Sequence, residues 1–216
     1  MRIRVNPRSQ EAAGGATRAH PASTRKDERG QGREAAVTPE EFIDGIKDDA
    51  LRLEQETGLP AAVTIAQAAL ETGWGRHVFL HSATAEETLR RLERGKGEYT
   101  GLPDGAPSYN LFGIKRHRSG MPFVVCWDQE YRDGAWVRVP ERFRRYASYQ
   151  ESMADRYRFL TTNPRYAEVL KTRDPFEFAT RLQEAGYASD PQYARKLHSI
   201  MRRYVLPRLE STAGGE

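Results

Sequence analysis

The chain of 216 residues holds one cysteine, Cys126. No disulfide can form within it, so its stability has to come from a packed core. It also has no run of about 18 apolar residues; the nearest approach, Leu59 to Leu70, is interrupted by Thr64 and Gln67, so no membrane span is expected. Behind Met1-Arg-Ile-Arg-Val-Asn-Pro-Arg8 there is no apolar stretch, and hence no recognisable secretory signal. A glycine-rich phosphate loop is missing as well. The first 37 residues contain no aromatic side chain, and only Met1, Ile3, Val5 and Val37 are sizeable apolar ones. That is too little apolar surface to offset the entropy of ordering. Residues 1–37 therefore read as a flexible basic leader, the functional alternative being an export address or a tether to an anionic surface.

Charge of one sign is also scarce where folding is expected. The leader has eight Arg or Lys against four acids, and the remaining 179 residues hold 26 of each sign. A nucleic-acid-binding domain normally shows a basic excess on its folded part, so nucleic acid is not the expected partner.

Order is expected from Thr38-Pro39-Glu40-Glu41, a capping box with proline at the first helical position. Phe42, Ile46, Ala50 and Leu53 follow at helical spacing up to Gly58. A second helix, about Pro60 to Thr72, carries so many small apolar residues that it should be packed on most sides and lie centrally. A short amphipathic helix is predicted over Ala85 to Arg94. Phe123 to Trp127 and Trp136 to Val139 flank Asp133-Gly134, the pattern of a tight hairpin, with Arg142 to Tyr146 as a third short strand. Ser148-Tyr-Gln-Glu151 and Asp174-Pro-Phe-Glu177 each open a helix, and Asp190-Pro191 starts the last one, which runs through Tyr204. The fold class is α+β, mainly helical, with one small β-hairpin lobe. The folded domain is expected over residues 38–205, with 206–216 as a flexible tail.

Among residues able to carry chemistry, Glu71 stands out. It ends the apolar helix, where the helix dipole repels negative charge, and partial burial beside Leu70 and Trp74 would further disfavour ionisation. Both effects raise its pKa toward the range of a general acid, whereas an exposed helix-end Glu is the plain alternative. The glycines flanking Trp74 would let its ring line a groove as a floor for a sugar. If the reaction is glycoside hydrolysis, a second acid should lie across a cleft, and for it the hairpin offers Asp128, Glu130 and Asp133. Asp133 is explained by the turn; Glu130 could reach over a groove or simply be a solvated strand charge. His77 and His81 stand four apart, but no acid of a protease pattern lies between them and no third ligand is evident. Cys126 sits in a strand that looks buried, where a thiol is inert packing. Neither a metal nor a cofactor is expected.

Several segments can be read together: Ala69-Leu-Glu-Thr-Gly-Trp-Gly75, Tyr109-Asn-Leu-Phe-Gly-Ile-Lys115, Glu130-Tyr131, Phe143-Arg-Arg-Tyr146, Asn163-Pro-Arg-Tyr166 and Ala185-Gly-Tyr-Ala-Ser-Asp-Pro191. In that order, from about Thr38 to Tyr204, the series resembles the flagellar-type β-N-acetylglucosaminidases of glycoside hydrolase family 73, which cleave peptidoglycan. The resemblance implies a lysozyme-like fold with a glycan groove between a helical lobe and a β-lobe. It implies that Glu71 is the general acid and Glu130 the second acid, although Asp128-Gln129 departs from the usual pair of threonines before it. It places Tyr187 where a hydroxyl orients the acetamido group or the reacting water, and Asn110 and Phe112 along the groove, Phe112 being equally plausible as core. Tyr166 and Tyr193 are left as packing. Residues 76–108 appear longer than the family norm and would reshape or gate one end of the groove.

The implied activity is an endo-acting cut after N-acetylglucosamine, at the cell envelope. The implied partners are peptidoglycan glycan strands and, beyond them, flagellar rod or other envelope-assembly components. The rivals are a lytic transglycosylase on the same fold and a catalytically idle glycan-binding or assembly protein.

Overall fold

The structure, a computed structural model, describes residues 37–76, 79–132 and 135–213. The leader, apart from Val37, therefore lies outside the described residues, as do His77 and the Asp133-Gly134 turn. Helix α1 spans Pro39–Thr57 and begins with the expected capping box: Glu41 N–H donates to Thr38 Oγ1, and Thr38 N–H to the Glu41 carboxylate. It ends at Gly58 in the left-handed conformation. Helix α2, Ala61–Thr72, has every residue buried. It packs against α1, α5 and α6 and the turn that follows α6. With small side chains on every face, these neighbours can approach closely, and Val63, Ile65 and Leu70 each contribute roughly 1.5–3 kcal/mol by burial.

Helix α3 (Ala83–Leu92) lies in the β-lobe and packs on the hairpin of β1 (Phe123–Arg132) and β2 (Ala135–Arg144). The strands pair antiparallel from Phe123↔Arg144 to Arg132↔Ala135. Both are longer than predicted, and the expected third strand is the far end of β2. Pro140 interrupts the pattern in sequence, but it is tolerated because each strand of a two-stranded sheet keeps an open edge. Side chains alternate: Phe123 and Val125 pack with Ala85 and Leu89 of α3, and Val124 and Cys126 pack with Phe143 on the other face. Cys126 is 7% exposed and its thiol donates to Leu80 O at 3.0 Å. Burial pushes that thiol up to about 12.

Helix α4 (Tyr149–Thr162) starts at the predicted Ser148 cap, and α5 (Pro175–Glu184) at Asp174. Helix α6 (Tyr193–Ile200) continues through a π-helical turn, Met201–Val205, into α7, Leu206–Ala213. Pro207 has no N–H and its ring would crowd the carbonyl four residues back; the wider turn just before it gives that ring room. Residues 206–213, expected within a flexible tail over 206–216, are helical. Leu206 and Leu209 pack on the main core, and Arg208 forms an ion pair with Asp44 of α1.

The two lobes are joined around α4. Arg144, at the end of β2, pairs with Asp155, which also accepts from Tyr146 Oη at 2.8 Å. Both the arginine and the aspartate are only 8% exposed.

Candidate active site

On α2, Thr64, Gln67 and Glu71 share one face, at i, i+3 and i+7. Two residues from other helices close over that face. Tyr193, at the start of α6, accepts a hydrogen bond from Gln67 Nε2 at 2.6 Å and places its hydroxyl 3.5 Å from Glu71 Oε1. Arg156 of α4 is 0% exposed and directs Nη1 toward Thr64 Oγ1 at 3.5 Å. Tyr187, in the α5–α6 connection, stacks on Tyr193 with ring centroids 5.8 Å apart, and Tyr166 meets Tyr187 edge-on at 5.9 Å. Glu71 is 2% exposed. Burial raises its pKa from 4.5 to about 8, while the Tyr193 hydroxyl and the positive charge of Arg156 pull the other way. The carboxyl is therefore protonated at neutral pH in an environment of low dielectric, as a proton donor requires.

Tyr187 belongs to this cluster, and burial first of all keeps its hydroxyl protonated. The residue that reaches Glu71, however, is Tyr193, which the sequence assigns to packing. Its ring does pack, but its hydroxyl links Gln67 to the acid.

Three residues expected along the groove are packed in the interior. Trp74 is 8% exposed, held edge-on between Phe42 (6.2 Å) and Tyr204 (4.9 Å) within the main core. Its backbone is left-handed, φ 63°, between Gly73 and Gly75 with the same sign, and this turns the ring inward. Asn110 is buried as well. Its amide donates to Ile114 O (2.9 Å) and Arg144 O (3.1 Å), and its Oδ1 accepts from Phe112 N (3.3 Å) and Ile114 N (3.1 Å). A side chain so fully engaged organises the loop between the lobes and has nothing left for a sugar. Phe112 is 0% exposed and is core, with the Arg156 guanidinium 5.1 Å from its ring.

Glu130 lies on β1 in the other lobe, its side chain 20% exposed. It is 3.7 Å from Lys115 Nζ, which also holds Asp128 at 2.8 Å and Glu141 at 2.9 Å. Lys115 ends the Asn-Leu-Phe-Gly-Ile-Lys segment, and its role emerges only once β1 and β2 are paired. His81 is buried in the β-lobe, where Nδ1 accepts from Val125 N–H at 3.2 Å. A cavity of about 410 Å³ beside α5 is lined by Arg165, Glu168, Arg181 and Glu184 and includes none of the Glu71 cluster.

Comparison with known proteins agrees with this architecture. A family model described as glucosaminidase, mannosyl-glycoprotein endo-β-N-acetylglucosaminidase, matches residues 47–206. The peptidoglycan hydrolase FlgJ of Escherichia coli K12 is 39% identical over 163 residues, 75% of this chain and 45% of that protein. The chain thus spans less than half the length of this relative. Among solved structures, the glycoside hydrolase domain of Salmonella typhimurium FlgJ is similar at 32% identity and a TM-score of 0.60, covering 82% of this chain and 92% of that one. A peptidoglycan hydrolase from Sphingomonas sp. A1 is similar at 34% identity and a TM-score of 0.59, covering 82% and 97%. With the acid-bearing helix inside the matched stretch and the same lysozyme-like arrangement of lobes, the chain belongs to the glucosaminidase family, glycoside hydrolase family 73.

Proposed function

We propose that this chain hydrolyses peptidoglycan at the cell envelope as an endo-β-N-acetylglucosaminidase. The observation that carries the reading is the buried Glu71, protonated at neutral pH and tied to Tyr193. Its proton passes to the glycosidic oxygen as the bond to the anomeric carbon breaks and oxocarbenium character develops on the sugar. Glu130 takes a proton from the water that attacks that carbon, or stabilises the developing charge with the substrate acetamido group assisting. Tyr187, beside the acid, orients the acetamido group or the water. Lys115 holds Glu130 and its neighbours in place. Flagellar rod or other envelope-assembly components are the partners that the resemblance points to, and peptidoglycan is the substrate.

Loss of a positioned general acid removes about 10²–10⁴ in rate. Glu71→Gln is therefore expected to release no measurable fragments from purified sacculi while its circular dichroism is unchanged. Mass spectrometry of wild-type digests is expected to show reducing N-acetylglucosamine ends. Near-normal turnover by Glu71→Gln would overturn the assignment of the acid, and anhydro-muramyl ends would make the chain a lytic transglycosylase. Because the proton donor titrates at about 8, kcat/KM should fall as pH rises through that value. A rate that stays level to pH 10 would exclude Glu71 as the donor.

A further inference from the structure

Arg156 is a side chain that the proposed reaction has not yet used. Its guanidinium is wholly buried, and a guanidinium stays charged in any protein environment. Such a charge is costly to bury unless something compensates it. Among the described residues no carboxylate lies within ion-pairing distance of it. Nη1 faces Thr64 and the guanidinium also approaches the Tyr187 hydroxyl, so the groups that meet it are neutral. The adjacent Asp155 is not its counter-ion, being engaged by Arg144 and Arg158. What surrounds Arg156 instead is the Phe112 ring and the Glu71 cluster, where it acts electrostatically on Glu71, Tyr187 and Tyr193.

We propose that Arg156 is a positioning residue for Glu71: a resident cation that balances the carboxylate left behind when Glu71 gives its proton to the leaving oxygen. The inference rests on Glu71 being the proton donor. A carboxyl buried as deeply as this one holds its proton tightly, and tight holding makes a poor donor. A fixed positive charge nearby favours the ionised product of the transfer without adding a base that would take the proton beforehand. The groups facing Glu71 are few: Gln67 on its own helix, Tyr193 from α6, Tyr187 from the α5–α6 connection and Arg156 from α4. Among the described residues, Arg156 is the one of these that carries a full charge. Its anchor, Thr64, lies two turns before Glu71 on the same helical face, so α2 itself sets the spacing between cation and acid.

The test uses the full chain with Arg156→Met, which keeps much of the volume and removes the charge, and Arg156→Lys, which keeps the charge. Two readouts are taken. The first is the pH dependence of kcat/KM on purified sacculi. The second is the Glu71 titration itself, obtained from the pH dependence of unfolding with and without Glu71→Gln. In Arg156→Met the alkaline limb and the Glu71 titration are expected to move up together by about 1 pH unit, the effect of removing an opposite charge roughly 10 Å away at an effective dielectric of about 20. Turnover at neutral pH is expected to drop several-fold, as expected of a weaker acid. Arg156→Lys is expected to restore the wild-type limb. A lost rate with both titrations unmoved in Arg156→Met would make Arg156 merely structural and overturn the inference. If Arg156→Met fails to fold, the decision falls to Arg156→Lys and Arg156→Gln, where equal titrations would overturn it. Full activity of Glu71→Gln would instead remove the catalytic reading, while the linked titration of Glu71 and Arg156 would still be measured by unfolding.

Discussion

Glu71 sets stability against catalysis. In the unfolded chain it ionises near 4.5; in the native state it holds its proton to about 8. Between those values the unfolded state has released a proton that the native state keeps, so folding stability is fully present below about pH 4.5 and declines as pH rises toward 8. The decline is on the order of 5 kcal/mol. Glu71→Gln cannot ionise, so it should melt well above the wild type at pH 8 and close to it at pH 4, as followed by calorimetry. Parallel melting curves across that range would mean that burial does not hold the proton. The burial of Glu71 was legible in part, because a carboxylate closing an alanine-rich apolar helix is unusual. Its companions were not. Gln67 and Tyr193 are 126 residues apart, Glu71 and Tyr193 122, and Thr64 and Arg156 92, and no local pattern reports contacts over such separations.

At the scale of elements, the turn leaving α2 carries the strongest local constraint. Gly73, Trp74 and Gly75 are all left-handed, and a Cβ at Gly75 would stand 3.0 Å from Phe42 Cδ2. Gly75→Ala should therefore destabilise by at least ~1–2 kcal/mol from backbone strain alone. Trp74→Ala should lose ~3–5 kcal/mol, as expected of an aromatic removed from a core. Urea midpoints measure both, and KM for the folded fraction of Trp74→Ala should stay near wild type. A large rise in KM without loss of stability would return Trp74 to the sugar. The helices themselves were readable because their caps are local chemistry: Thr38, Ser148 and Asp174 all bind the backbone N–H three residues on. The hairpin was read short at Pro140, where intrinsic preference argues against a strand but an open edge accepts it. The last helix was cut short for the opposite reason. Pro207 signals an end, yet the π turn before it absorbs the ring and the packing of Leu206 and Leu209 carries the helix onward.

For the whole molecule, the decisive feature is the union of the lobes. Asp155 of α4 holds Arg144 and Tyr146 from the end of the hairpin, while Leu111 N–H donates to Ser152 Oγ at 3.1 Å, again on α4. Asp155→Ala would strand a buried guanidinium and should destabilise by ~3–5 kcal/mol. It should also speed hydrogen exchange across β1, β2 and residues 110–114 more than in α1 and α2. Uniform exchange changes over both lobes would show that no such latch exists. Glu71 is only 2% exposed in this arrangement, so if it is the proton donor, the tyrosines that cover it must move aside before a glycan meets it. The lone sulfhydryl has a wider consequence. Cys126 sits sealed against the Leu80 carbonyl and does not form a thiolate at any ordinary pH. The folded domain thus offers its surroundings no reactive thiol, and with one cysteine in these 216 residues no bridge within them responds to the redox state of the medium.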